Sequence, residues 1–150
     1  MRRIGKVIVH CSASSFGDVA LITEWHKERK FKSIGYHYVI LNGRRDSKAA
    51  YRAKLDGLLE PGRDESEIGA HCLGHNKDSI GVCLVGIDTF SPNQLASLYT
   101  LLTSLIERYN LTSQDIYGHY EFTSGKTCPN IDMNIVRAGI ESCIKKEVKK

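Results

Sequence analysis

The chain has 150 residues, 41% of them hydrophobic and 25% charged, with a formal net charge of +4. That length suits one domain around a single core, and the balance excludes a disordered chain. No apolar run approaches the roughly 20 residues that cross a bilayer, which excludes a membrane helix.

The charge is local. Residues 143–150 carry a net +3 and residues 44–56 another +3, leaving −2 over the remainder. Basicity confined to one C-terminal tail and one insert does not make a nucleic-acid-binding face. The tail reads as a solvated helix end, with weak attraction to a polyanion as the alternative. After Met1-Arg2-Arg3 the longest apolar run is Val7-Ile8-Val9, too short for a signal-peptide core, which predicts cytoplasmic synthesis without a signal peptide. Five cysteines, an odd number with no C-x-x-C pair, predict reduced thiols rather than a disulfide scaffold.

In chain order, residues 6–10 form a short apolar run ending on His10, as a buried strand does. Asp18 is placed to cap a helix reaching about Phe31, with Ile22, Trp25 and Arg29 on one face. Residues 36–41 are aromatic and β-branched and stop at Asn42-Gly43, a strand followed by a turn. The run Ser47 to Leu55 has helical propensity sufficient for one or two turns. Residues 79–86 read as a central strand. Ser91, Pro92 and Gln94 compose a capping box. The helix it starts runs to about Tyr109, with Leu95, Leu98, Leu102, Leu105 and Ile106 as its apolar stripe. A last helix begins near Asp132 and directs Ile135, Val136, Ile140 and Ile144 inward. Strands alternating with helices predict a single α/β domain, a central mixed β-sheet flanked by helices.

Six histidines and five cysteines raise the question of a metal. His71, Cys72 and His75 with Cys83 lack the paired spacing of a structural zinc site, and His26 reads as a surface or half-buried structural residue. His10, His119 and Cys128 together would supply two imidazoles and a thiolate, leaving a fourth position open as catalytic zinc requires. By residue type alone they read more readily as buried strand-end polar groups and an inert thiol.

Seven motifs in order change that balance. They are Val9-His10-Cys11-Ser12-Ala13, Trp25-His26-Lys27-Glu28, Gly35-Tyr36-His37-Tyr38, Pro61-Gly62-Arg63-Asp64-Glu65, the segment 79–86, Gly118-His119-Tyr120-Glu121 and Lys126-Thr127-Cys128-Pro129. Over nearly the whole chain the sequence resembles the zinc-dependent N-acetylmuramoyl-L-alanine amidases of the type 2 family, and within it the lysozymes of T-seven-like phages. Peptidoglycan-recognition proteins share that fold.

The resemblance implies one Zn²⁺ held by His10, His119 and Cys128, with Tyr36 and Lys126 as the catalytic tyrosine and lysine. The reaction implied is hydrolysis of the amide between N-acetylmuramic acid and L-alanine in peptidoglycan. Tyr36 and Lys126 would donate to the oxyanion, and the source of the leaving amine's proton stays open. Glu121, Asp64 and Glu65 are candidates to orient the ligand histidines, or are plain surface acids. His37 is expected to serve structure, whereas His71 and Asn76 fall in the stretch resembling the substrate groove. Residues 44–56 look like an insert, either rimming the cleft or elaborating the surface. The rival reading is a recognition module that binds peptidoglycan without cutting it; the presence of Cys128 favours catalysis. Without a wall-anchoring repeat, the chain is expected to be a phage or prophage endolysin, acting on the wall after release from the cytoplasm. Related phage lysozymes set a precedent for a polymerase partner, which no residue here tests, and a monomer is the default.

Overall fold

A computed structural model describes residues 2–148. Five strands form one mixed sheet in the order β3-β2-β4-β1-β5, where β1 is Lys6–Cys11, β2 Tyr38–Asn42, β3 Asp56–Pro61, β4 Ser79–Leu84 and β5 Ile116–Gly118. Strand β1 runs parallel to β4 and β5, β2 runs parallel to β4, and β2 and β3 are antiparallel. Strands β1 and β4 are buried along nearly their whole length, because helices and loops cover both faces of the sheet.

The period-2 alternation of β1 decides which residues go where. Val7 and Val9 point into the larger core with Ile80, Val82 and Leu84, beneath α2 (Pro92–Tyr109) and α3 (Met133–Val148). The alternate residues Ile8 and His10 therefore face the other side. There a smaller core of Ile22, Ile34, Val39, Leu41, Cys83 and Val85 packs with α1 (Val19–Glu28). Helix α1 has only ten residues, roughly 15 Å of cover. The uncovered part of that face is where His10 emerges.

Local capping signals hold. The Asp18 carboxylate accepts the Leu21 N–H at 2.8 Å, and Ser91 and Gln94 close the capping box of α2. Other expectations shift. Helix α1 stops at Glu28, so Arg29 is its cap and Phe31 lies beyond it. Within α2 the inward position belongs to Gln94, 1% exposed, and not to Leu95. In α3 Ile135 is 65% exposed, and Met133 takes the inward place. The physical reason is phase: Met133, Val136, Ile140 and Ile144 recur at three- and four-residue steps, and Ile135 lies off that stripe. Residues 47–52 do not coil, and a single 3₁₀ turn, Ala53–Leu55, leads into β3. The end of the basic tail, residues 149–150, lies outside the described residues, and Lys145 and Lys146 sit in the last turn of α3. All five cysteines are free thiols.

Gln94 ties α2 to the sheet. Its Nε2 donates to the Val85 carbonyl at 2.8 Å and to the Ile40 carbonyl at 3.3 Å, while its Oε1 accepts the Ser91 N–H. Gln94→Leu strips these partners from buried groups and is expected to cost about 1–3 kcal/mol, read as a lower urea midpoint at unchanged slope.

Candidate metal centre and active-site cleft

His10 ends β1 on the uncovered sheet face, His119 follows β5, and Cys128 closes the loop after it. Since β1 and β5 are hydrogen-bonded neighbours, two residues far apart in sequence meet: the His10 and His119 rings are 4.6 Å apart. The Cys128 sulfur joins them, accepting the Cys11 backbone N–H at 3.1 Å. The candidate ligand atoms of His10, His119 and Cys128 all lie within 4.8 Å of one another. This is the one such group among the described residues, and it can hold a metal ion.

The electrostatics suit that role. Burial, followed by the neighbouring His71 and His119, pushes His10 well below the ordinary histidine range. Burial and then the Lys126 charge lower His119. Both imidazoles are thus neutral at pH 7, the form that binds metals. The Cys11 and Cys128 thiols are coupled: their contact lowers Cys11 to about 7, while the same contact and then burial raise Cys128, so the pair gives up one proton well before a second.

These residues floor a cleft of about 630 Å³, whose walls include Tyr36, His71, Asn76, Thr123 and Lys126. The Tyr36 ring stands 5.1 Å from His10 and 5.3 Å from His26. Burial above all, then the surrounding cysteines, raises its phenol well above 10, so the hydroxyl remains a donor. Lys126 is exposed on the same loop as Cys128. Arg29, over the Phe31 ring at 5.1 Å, stands at the rim with them. No residue of 44–56 lines the cleft; Arg45 in that stretch instead pairs with Asp18 and Glu60 at 2.9 and 2.8 Å.

The other histidines sort by their bonds. His37 is fully buried: its Nδ1 accepts the Gly81 N–H at 2.9 Å, and its Nε2 meets the Glu67 carbonyl at 2.8 Å. His26 is buried rather than at the surface, its Nδ1 accepting the Gly35 N–H at 2.8 Å. His71 is 9% exposed, with its Nδ1 2.9 Å from His10 Nε2. Asn76 Oδ1 accepts the N–H groups of both His71 and Cys72 at 2.9 Å and so shapes that loop.

The carboxylates are occupied elsewhere. Glu121 accepts the Gly118 N–H and pairs with Arg137, Asp64 accepts from Ser66, and Glu65 binds Tyr38, Arg108 and Tyr109. The partner of the candidate ligand His10 is His71, a residue expected from the sequence to lie in the substrate groove.

Burial holds His26 down at about 4, against 6.5 for a free histidine. A histidine neutral in the fold but charged when unfolded destabilises the fold as pH falls below 6.5, until the folded form titrates near 4. His26 alone contributes about 1.4 kcal/mol per pH unit across that window. Urea unfolding of the metal-free protein at pH 6, 5.5 and 5, inside that window, is expected to show about that slope.

Three comparisons bear on this geometry. The family model described as N-acetylmuramoyl-L-alanine amidase matches residues 1–131. The endolysin of Escherichia phage T7 is 38% identical over 138 residues, spanning 85% of this chain and 81% of that protein. Among solved structures, the N-acetylmuramoyl-L-alanine amidase LysC from Clostridium intestinale superposes with a TM-score of 0.79 at 25% identity, covering 93% of this chain and 87% of that one. Drosophila peptidoglycan recognition protein SD shares the fold at a TM-score of 0.66 and 20% identity, over 86% and 76% of the two chains. With a family model spanning most of its length and two histidines and a cysteine gathered at one cleft, the chain belongs to the N-acetylmuramoyl-L-alanine amidase family.

Proposed function

We propose that the chain is a phage or prophage endolysin that uses one zinc ion, held by His10, His119 and Cys128, to hydrolyse the amide between N-acetylmuramic acid and L-alanine in peptidoglycan. Membership of the family makes it an amidase and a hydrolase; the metal, the residue roles and the biological setting are our reading. The observation that carries it is the convergence of three metal-ligating side chains on the floor of a cleft that Tyr36 and Lys126 also line.

The donor set fits zinc. Two neutral imidazoles and one thiolate match its preference for nitrogen and sulfur, and three protein ligands leave one position for chemistry. The three donor atoms, all within 4.8 Å of one another, would be close enough to converge on one ion. The Cys11 N–H already points at the Cys128 sulfur, where it stabilises the thiolate. When bound, the ion supplies Lewis acidity at the scissile carbonyl and acidifies the attacking water.

The chain's own groups do the rest. His10 and His119 bring no charge, so the single thiolate leaves the centre net positive. Tyr36, kept protonated by its surroundings, donates from a fixed, half-buried position to the carbonyl oxygen as negative charge grows there. Lys126, exposed on the Cys128 loop and lining the same cleft, donates to the same oxygen. Preorganised donors of this kind are worth about 3–4 kcal/mol each. Both His71 and Asn76 line the cleft; Asn76 is proposed to contact the muropeptide's stem, whereas the ring nitrogens of His71 are engaged within the protein. The site is complete within one chain, so a monomer suffices.

No helix among the described residues is long and apolar enough to cross a membrane. We infer that the protein acts on the cell wall after release from the cytoplasm, as the reading of an endolysin requires.

Digestion of purified peptidoglycan by the zinc-loaded protein, followed by mass spectrometry of the soluble products, tests the proposal. Free stem peptides beginning with an unblocked L-alanine, beside intact glycan chains, are expected. Intact sacculi that retain the protein would instead make it a binding module.

A further inference from the structure

His71 is bonded at both ring nitrogens, which a groove residue reaching for ligand does not need. Its Nδ1 lies 2.9 Å from His10 Nε2, its Nε2 lies 3.2 Å from Ser79 Oγ, and Ser79 Oγ lies 2.7 Å from the His75 carbonyl oxygen. Ser79 is fully buried and opens β4.

The chain has only one direction. A carbonyl oxygen accepts and never donates, so the single hydroxyl hydrogen of Ser79 goes to His75. Ser79 Oγ must then accept from His71, which places the His71 proton on Nε2. A buried imidazole is neutral, so His71 Nδ1 carries a bare lone pair and accepts from His10. The His10 proton therefore sits on Nε2, and Nδ1 is the one lone pair that His10 has left.

We propose that His71 and Ser79 are positioning residues, a hydrogen-bond relay anchored on the His75 carbonyl that sets the tautomer and ring orientation of His10 and so presents its Nδ1 to the metal. The proposal rests on the zinc reading above for its consequence, though not for its geometry.

The fold is built around the relay. A Cβ added at Gly81 would stand 2.6 Å from the His71 ring, and one added at Gly69 would stand 2.7 Å from it. The imidazole thus fills space that any side chain at either glycine would take. The loop carrying the ring is in turn pinned by Asn76. The His10 and His71 ring centroids are 5.0 Å apart with planes crossed at 89°, and the 2.9 Å nitrogen–nitrogen contact runs nearly along the line between them, as an end-on N–H···N bond requires. Orienting partners of metal-bound histidine are usually carboxylates or carbonyls. Here the carboxylates near the site are engaged elsewhere, and an imidazole passes the request on to a carbonyl through a hydroxyl.

Two measurements test this. Long-range ¹H–¹⁵N spectra of the metal-free protein are expected to show His10 and His71 both as Nε2–H tautomers; an Nδ1–H form of either, or exchange between forms, overturns the relay. Zinc affinity by chelator competition is expected to fall about 10–100-fold in His71→Ala and by a smaller factor in Ser79→Ala. His71→Asn, whose amide oxygen falls near the place of Nδ1, is expected to recover most of the loss. Wild-type affinity in both His71→Ala and Ser79→Ala overturns the proposal, as does equal loss in His71→Ala and His71→Asn. Should the wild-type protein bind no zinc, the metal reading fails, and the tautomer spectra alone decide the relay.

Discussion

Cys128→Ala is expected to lose both zinc and turnover while the protein stays folded. The thiolate is the sole anionic donor of the three, and without it two neutral imidazoles remain to hold a dication. A catalytic metal supplies several kcal/mol of transition-state stabilisation, so turnover falls by more than about 10³-fold. Cys128 is only partly buried and lies in a loop, away from both cores, so the thermal midpoint of the metal-free variant should match that of the metal-free wild type. Cys128→Ser, which keeps the volume but not the easily ionised sulfur, should lose as much. Metal analysis by mass spectrometry beside a turbidity assay on purified sacculi decides the matter. Full zinc occupancy with intact turnover would mean that the ligand set is wrong.

The second large effect separates oxyanion stabilisation from metal binding. Tyr36→Phe and Lys126→Ala are each expected to retain zinc and to lose about 10²–10³-fold in kcat, the cost of one preorganised donor. Tyr36→Phe keeps the ring that stands against His10 and His26, so only the hydroxyl is removed. Because its surroundings raise the Tyr36 phenol well above 10, its donation persists across neutral and mildly alkaline pH, and the wild-type rate should show no loss there from phenolate formation. Loss confined to KM would assign either residue to substrate binding. Unchanged turnover would leave Lys126 a solvated loop charge and Tyr36 a wall of the cleft.

How legible these features were in the sequence depended on how local their causes are. The start of α2 could be read because Ser91, Pro92 and Gln94 satisfy one another within four residues. The central place of β4 could be read because a strand buried on both faces has an unbroken apolar run. By contrast, β3 escaped notice: it is an edge strand whose Leu58 and Leu59 are each 38% exposed, so neither alternation nor a solid apolar run marks it. The helical propensity of residues 47–55 lost to the demands of the hairpin joining β2 to β3, since weak propensity yields to tertiary context. The inward turn of Gln94 has no local signal, because its partners are carbonyls on β2 and β4.

The candidate site divides along the same line. Ordered motifs named His10, Tyr36, His119, Lys126 and Cys128 without any coordinates, since each motif carries its residue type and spacing in the chain itself. Sequence could not say what binds the far side of His10. It offered Glu121, Asp64 and Glu65, and the fold engages all three elsewhere. The parallel pairing of β1 with β4 and β5 decided that His10, His71, Ser79 and His119 share one neighbourhood. Hydrogen-bond direction is a property of atoms meeting at about 3 Å, and separation along the chain holds no record of it. The residue types of the candidate site were thus written in the sequence, and their mutual orientation came from the sheet and the loops it positions.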